Sequence, residues 1–521
     1  MTARTAPTLV TRKEYDTVIR GGTIFDGTAA EGRDADLAIS RGRIAAIAPA
    51  IAGKGSDEID ARGLAVAPGF IDIHSHGDGN MEEDPRVESV IRQGITTIVV
   101  GVDGSSRAAG APDKSFASMF DSIDKLSPGP NVASMVGLGE VREAVIGDKD
   151  RPATADEIRT MTAMVDRALR NGACGASSGL EYTPGAFASL DELIALCRPL
   201  ASRRLPYATH MRNEDDRLVE AIDESIAVAR GAGCPLQISH LKTQGPRNWS
   251  KLDKVFLLIA AARAARTDVA FDRYPYVAYA TVLTNLFPVW SRDGGVDAFL
   301  ARLEDASVSP RIRKEAVAKV ELIGGWDNVQ LSGVKAVEDR DAEGKRLGAY
   351  AKSHAQDPYE ATVGLLRRSR GNVGMLGYAM SEENLERILS HPFGMVCSDG
   401  GGFAIEGPTR RGSPHPRGAG SFPRVLARYV RERKVLTLTD AIRKMTSLPA
   451  SRVRLSDRGR LAPGLAADVV VFDPAEVADK ATFDAPFQYP AGISLVIVNG
   501  VVALRDGQRG KAGSGKAVRP S

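Results

Sequence analysis

Between residues 68 and 454, short apolar, β-branched runs alternate with longer stretches of helical period, which confines this part of the chain to a parallel sheet or barrel. Eight runs read as strands: GFIDIHSH, TTIVVGVDG, NVASMVGLG, ACGASSGLEY, YATHMRNE, PLQISHLK, DVAFDRYPY and GMVCSDG. Eight is the number that closes a (β/α)8 TIM-type barrel. Segments between them, such as DEIRTMTAMVDRALRNG and RLVEAIDESIAVARGAG, repeat apolar residues every three or four positions and close on Gly, as outer helices do.

The flanks read differently. YDTVIRGGTIFDG, DLAISRGRIAAIAP and SDEIDARGLAVAPG near the start, and ADVVVFDP and SLVIVNGVVALRDG near the end, are β-rich runs bounded by turn residues. Residues 1–67 and 455–521 are therefore expected to form one small β-sandwich domain built from both termini. The stretch from about 281 to 390 is too long for a single connection and carries its own helical patterns, GVDAFLARLEDA and ATVGLLRRSR, so it reads as an inserted lid. The tail GKAGSGKAVRPS is rich in Gly, Lys and Ser and is expected to be disordered.

Composition excludes several classes of partner. Lys and Arg total 68 against 65 acidic residues, and the net charge of +3 is gathered into no tract, so no nucleic-acid partner is implied. No run approaches the roughly 18 apolar residues needed to span a bilayer, and the opening MTARTAPTLVTRKEYD has no apolar core of a leader peptide. Four scattered cysteines, Cys174, Cys197, Cys234 and Cys397, suit reduced, buried thiols. A soluble cytoplasmic protein with a small-molecule substrate and no membrane partner is expected, and a homo-oligomer is compatible with that reading.

The chemistry lies at strand ends. Of seven histidines, His74, His76, His210 and His240 fall at the C-terminal ends of strand runs, where a barrel gathers its active site. Side chains alternate with period two along a strand, so His74 and His76 point the same way. Alone, any one of them reads as a hydrogen-bonded strand-end residue; together they read as metal ligands. Asp399 adds a carboxylate at the end of the eighth strand, able to bind a metal and to take a proton from water, against the plainer reading of a turn residue before glycines. Imidazole and carboxylate ligands suit one or two Zn2+, with other divalent transition metals as substitutes. A bound divalent metal lowers the pKa of water to about 7 and polarises a carbonyl, which is hydrolytic chemistry.

PGFIDIHSH, the two single-His strands, SDG and the flanking GRLAPGLAADVVVFDP resemble the amidohydrolase superfamily over nearly the whole chain. Within it, CGASSGLEYTPGAF, THMRNE, ISHLK, FDRYPYVAY, PHPRGAGSFPRVLARYVRE and KMTSLPASRVRL are similar to the D-aminoacylases, or N-acyl-D-amino-acid deacylases. The resemblance implies a distorted (β/α)8 barrel with a small β-sandwich domain. It also implies hydrolysis of the amide of N-acyl-D-amino acids by metal-activated hydroxide. In that reading His74 and His76 hold one metal, His210 and His240 the other, and Asp399 is the general base and acid. Lys242, Tyr274 and Arg417 occupy the family's carboxylate-binding motifs, with His415 a nearby loop residue and Arg212 and Glu214 as groups that orient ligands.

The chain departs from the D-aminoacylases at one position. They carry a metal-binding Cys in a GNCG turn, and this chain reads GVDG, with Asp103 in place of the thiolate. Related amidohydrolases often place a carboxylated Lys or a Glu at the end of the fourth strand, so Glu181 is the preferred bridging ligand and Asp103 the second choice. The departure keeps open an amidohydrolase acting on a cyclic amide, dipeptide or N-carbamoyl substrate, and, more remotely, an inactive scaffold relative.

Overall fold

The computed structural model describes residues 14–108, 115–510 and 513–521. The first 13 residues of the opening segment, and Lys511 and Ala512 of the tail, lie outside the described residues.

All eight strand runs form strands: β1 (Phe70–Asp72), β2 (Ile95–Val100), β3 (Asn131–Ser134, resumed at Val136–Gly137), β4 (Ala176–Gly179), β5 (Tyr207–His210), β6 (Leu236–Ile238), β7 (Val269–Arg273) and β8 (Gly394–Val396). Every pairing among them is parallel. Between β8 and β1 the ring closes just past the strand ends, where Asp399 N donates to His74 O (2.9 Å) and His76 N to Gly400 O (3.0 Å).

The wall is irregular at β3. Only Val136–Gly137 pairs with β4, and lower down Val132 pairs instead with the C-terminal tail: Val132 N donates to Lys516 O and Val518 N to Val132 O, both at 2.9 Å. Ala517 and Val518 are buried there, and Arg519 lies over the Phe120 ring. The expectation of a disordered tail is therefore corrected for residues 513–521. A strand with an unpaired edge offers backbone partners that composition alone does not reveal.

The outer helices follow from the sequence. Ala155–Arg170 starts at Thr154, whose hydroxyl accepts from Glu157 N while the Glu157 carboxylate accepts from Thr154 N. Leu218–Ala232 stops at Gly233, whose φ of 74° a side chain would strain. Val141, Val165, Leu193, Ile222 and Ile259 from the helices share one core with Ile98, Val132, Ile238 and Phe271 from the strands. Each such burial stabilises by about 1.5–3 kcal/mol.

Strands from residues 15–68 and 469–509 meet in one continuous nine-stranded sheet, joined where Ala65–Pro68 runs antiparallel to Val469–Phe472. Ile19, Leu37, Ile39 and Val66 pack with Val469, Val471, Leu495 and Ile497 in its core. The insertion between β7 and β8 holds the expected helices, Gly295–Glu304 and Pro358–Arg368. It also holds a three-stranded antiparallel sheet of Ala278–Val282, Val373–Tyr378 and Val329–Val334, in that order.

Candidate metal centre

The C-terminal ends of the barrel strands open into a cleft of about 440 Å³ lined by His76, His210, His240, Asp399, Asp103, Glu181, Lys242, Tyr274 and Arg417, among others. His74 lies buried beneath it. The four histidines form a chain of rings: His74 and His76 centroids are 5.5 Å apart, His74 and His240 4.9 Å, and His240 and His210 4.6 Å.

Asp103 stands at the centre of this chain. Its Oδ2 is 3.2 Å from His74 Nε2 and 3.4 Å from His76 Nε2, and its Oδ1 is 3.5 Å from His240 Nε2. Glu181 reaches one histidine of the set, His210, at 3.5 Å, and otherwise accepts from Asn285 Nδ2 at 3.1 Å. Asp103, rather than Glu181, is thus the carboxylate that lies near both histidine pairs. The reason is local. Ser177 Oγ donates to Gly101 O and accepts from Gly104 N, clamping the GVDG turn against β4. At the end of that strand a Cβ on Gly179 would collide with the Asp103 carbonyl.

Asp399 Oδ1 lies 3.2 Å from His76 Nε2 and 3.5 Å from His74 Nε2, while its Oδ2 accepts from Arg417 Nη1 at 2.6 Å. Burial disfavours its charge, but Arg417, His74 and His240 outweigh that and hold its pKa well below the usual carboxylate range. The same balance, with His74 and His240, keeps Asp103 ionised. Asp103, His240 and Asp399 have φ of 53°, 35° and 50°.

Lys242 lies buried with Nζ 2.6 Å from both Glu214 Oε1 and His240 Nδ1, and Glu214 Oε1 sits behind that histidine, 3.2 Å from its Nδ1. Arg212 does not: it pairs with Glu224 and donates to the carbonyls of Ala186 and Ala188. That corrects its expected role, because its side chain turns away from the cleft toward the segment after β4. His415 is a buried loop residue whose Nδ1 accepts from Arg417 N at 3.0 Å. Tyr274 is wholly buried, and its hydroxyl has no hydrogen-bond partner among the described residues.

Sequence reasoning passed over several groups. Asp272, at the end of β7, accepts from His240 N at 2.7 Å and from Gln237 Nε2. Asp72 accepts from Ser398 N and Oγ, and burial lifts its pKa to about 6 against those hydrogen bonds. Both carboxylates stand in quoted motifs, IDIHSH and FDRYPY, and their place at strand ends was the available signal. Lys319, which comes from a helix of the insertion, had none.

The donor set fits divalent metal. Ligand atoms of His74, His76, Asp103 and Asp399 lie within 4.8 Å of one another, as do those of Asp103, His210 and His240. His210 Nε2 and Asp103 Oδ1 are buried without a hydrogen-bond partner among the described residues, which leaves both atoms open to a ligand.

Comparison with known proteins places this geometry. The amidohydrolase family profile matches residues 57–504. The chain belongs to the amidohydrolase family. It is 37% identical to the N-acyl-D-glutamate deacylase of Alcaligenes xylosoxydans xylosoxydans, over 94% of this chain and 93% of that protein. To the D-aminoacylase of the same organism it is 35% identical, over 93% and 94%. Among solved structures, an N-acyl-D-glutamate deacylase from Bordetella bronchiseptica, complexed with zinc and a phosphonate inhibitor, superposes with a TM-score of 0.83 at 36% identity, over 97% of this chain and 99% of that one. The L-hydantoinase of Arthrobacter aurescens shares the fold, at a TM-score of 0.60 and 18% identity. Among the described residues of this amidohydrolase, no helix is long and apolar enough to cross a membrane.

Proposed function

We propose that this amidohydrolase cleaves the amide bond of N-acyl-D-amino acids, releasing a D-amino acid and a carboxylic acid. The observation that carries the reading is the joining, in one cleft, of the histidine–carboxylate cluster with an edge formed by Arg417, Lys242 and Tyr274. Relatives named as D-amino-acid deacylases, matching over more than nine-tenths of the chain, support it.

In this reading His74, His76, Asp103 and Asp399 would hold one divalent ion, and Asp103, His210 and His240 a second. Zinc is the choice the relative from Bordetella bronchiseptica supports. When bound, such ions supply Lewis acidity to a carbonyl and lower the pKa of water. The chain's own groups do the rest. Tyr274 and Arg417 take the substrate's α-carboxylate and so fix which face of the acyl carbon meets the attacking water. Asp399 takes the water's proton and passes it to the nitrogen as the C–N bond breaks, leaving the amine and the carboxylate products. Asp272 and Glu214 hold His240 in position throughout.

The test is chiral chromatography of products from N-acetyl-D- and N-acetyl-L-amino acids, with metal-loaded and chelator-treated protein. Release of D-amino acid that stops on chelation is expected. Hydrolysis of a cyclic imide or a β-dipeptide in preference to every N-acyl-D-amino acid would move the activity elsewhere in the family, and metal-free protein without activity would point to a scaffold.

A further inference from the structure

At the opposite end of the barrel from the metal cleft, a cavity of about 680 Å³ opens where β6, β7 and β8 begin and where the outer helices Leu190–Ala201, Leu218–Ala232 and Leu252–Ala264 end. Its volume is that of a small-molecule site, about 300–1,000 Å³. Six arginines line it, Arg204, Arg230, Arg263, Arg266, Arg452 and Arg454, against a single carboxylate, Asp268. The chain as a whole is nearly balanced in charge, so it is folding that gathers these six from 250 residues of sequence.

Two of the six are engaged in holding the fold. Arg263 Nη1 donates to Asp268 Oδ1 at 3.1 Å and to Val269 O at 2.6 Å, and its guanidinium lies over the Phe393 ring. Arg452 is buried and donates to Asp268 Oδ2 at 2.8 Å and to Gln237 Oε1 at 3.1 Å. The one carboxylate is therefore already shared between two cations. Arg454 meets a backbone oxygen, that of Ser521, at 3.3 Å. Arg204, Arg230 and Arg266 make no side-chain hydrogen bond or ion pair among the described residues.

Arginines at helix ends ordinarily offset the negative end of the helix and bind its last carbonyls. Arg203 does so, donating to Pro199 O at 2.9 Å. Its neighbour Arg204 donates to no carbonyl, and neither does Arg230 or Arg266. Arg204 and Arg266 also hold φ of 51° and 65°, a left-handed conformation past a helix that glycine adopts freely, as Gly233 does at 74°, and that costs an arginine stability. Four guanidiniums without a carboxylate of their own around one concavity set up a positive potential that draws multiply charged anions. The planar fork of each matches phosphate oxygens two at a time.

We propose that this cavity binds a small molecule carrying a chain of phosphates, held by Arg204, Arg230, Arg266 and Arg454, at a site separate from the metal centre and independent of which amide the enzyme cleaves.

Metal-loaded protein is to be titrated calorimetrically with inorganic tripolyphosphate, with adenosine triphosphate and with orthophosphate, at low and at high salt. Saturable binding of a phosphate chain is expected, weakening as salt is added, with orthophosphate held roughly 10-fold less tightly or worse. The metal centre is a rival site for phosphate, so the deciding comparison is the double variant Arg204→Gly, Arg266→Gly, in which glycine suits both left-handed positions. It is expected to bind the chain at least roughly 10-fold more weakly while keeping its metal content and its hydrolytic rate. Binding of tripolyphosphate alone assigns the cavity to a free phosphate chain, and equal or tighter binding of adenosine triphosphate assigns it to a nucleotide; either upholds the proposal. Absence of saturable binding, or native affinity in the double variant, overturns it. So does absence of binding together with dissociation of an oligomer in the variant, which would make this face a contact between copies of the chain.

Discussion

Asp103, His240 and Asp399 hold left-handed backbone conformations that cost non-glycine residues stability and recur at functional sites. Asp and His tolerate this region better than most residues, so the backbone and the cluster favour the same types. Because Asp103 adjoins three histidines and Glu181 one, Asp103→Ala is expected to lower the metal content of purified protein more than Glu181→Ala, measured by mass spectrometry of the metals; the reverse order would restore Glu181. Asp103→Cys, which writes in the ligand resembling the D-aminoacylases, is expected to keep metal that Asp103→Ala loses. Tyr274→Phe removes a single donor to a charged group. It should lower kcat/KM on free-acid substrates by roughly 10- to 150-fold, with a smaller loss on the matching amides. Equal losses on acid and amide would exclude the hydroxyl from carboxylate binding. The four histidines and Asp399 were legible in the sequence because strand ends in a barrel converge. The place of Asp103 among three of them was not, since it depends on Ser177 clamping one turn against β4.

The insertion is bound to the barrel at the cleft rather than hinged above it: Asn285 donates to Glu181, Arg292 to the Glu181 carbonyl, and Lys319 pairs with Asp215. Its helices were readable from their period, but its sheet was not, because Gly333, Gly374 and Gly377 interrupt the alternation that marks a strand. The tail is the plainer case. A lone Ala-Val pair among small and charged residues carries no periodic signal, and only the open edge of β3 gives it a place. Truncation after residue 512 strips cover from Val132 and Phe120 and buries nothing in exchange. With about 1.5–3 kcal/mol lost for one buried valine, the truncated protein should unfold a few degrees below the full chain in a calorimetric scan. An unchanged transition would show the tail to be loosely held.

At the scale of the molecule, the metal-binding candidates sit on a scaffold that is packed without them. The strands carrying the histidines belong to the same core as the outer helices, and the sheet domain has a core of its own. Removing metal with a chelator is therefore expected to abolish hydrolysis while leaving the far-ultraviolet circular dichroism intact, with activity returning on addition of Zn2+. Collapse of the spectrum together with activity would instead make the metal a structural requirement, as in small zinc domains. The pairing of Val132 with residues 516–518, and of Ala65–Pro68 with Val469–Phe472, also sets an order on biosynthesis. Most of the barrel can assemble as it emerges from the ribosome, but its third strand and the sheet beside it stay open-edged until the closing segment has left the exit tunnel. Through that interval the nascent chain exposes hydrogen-bonding edges that any neighbouring strand can capture.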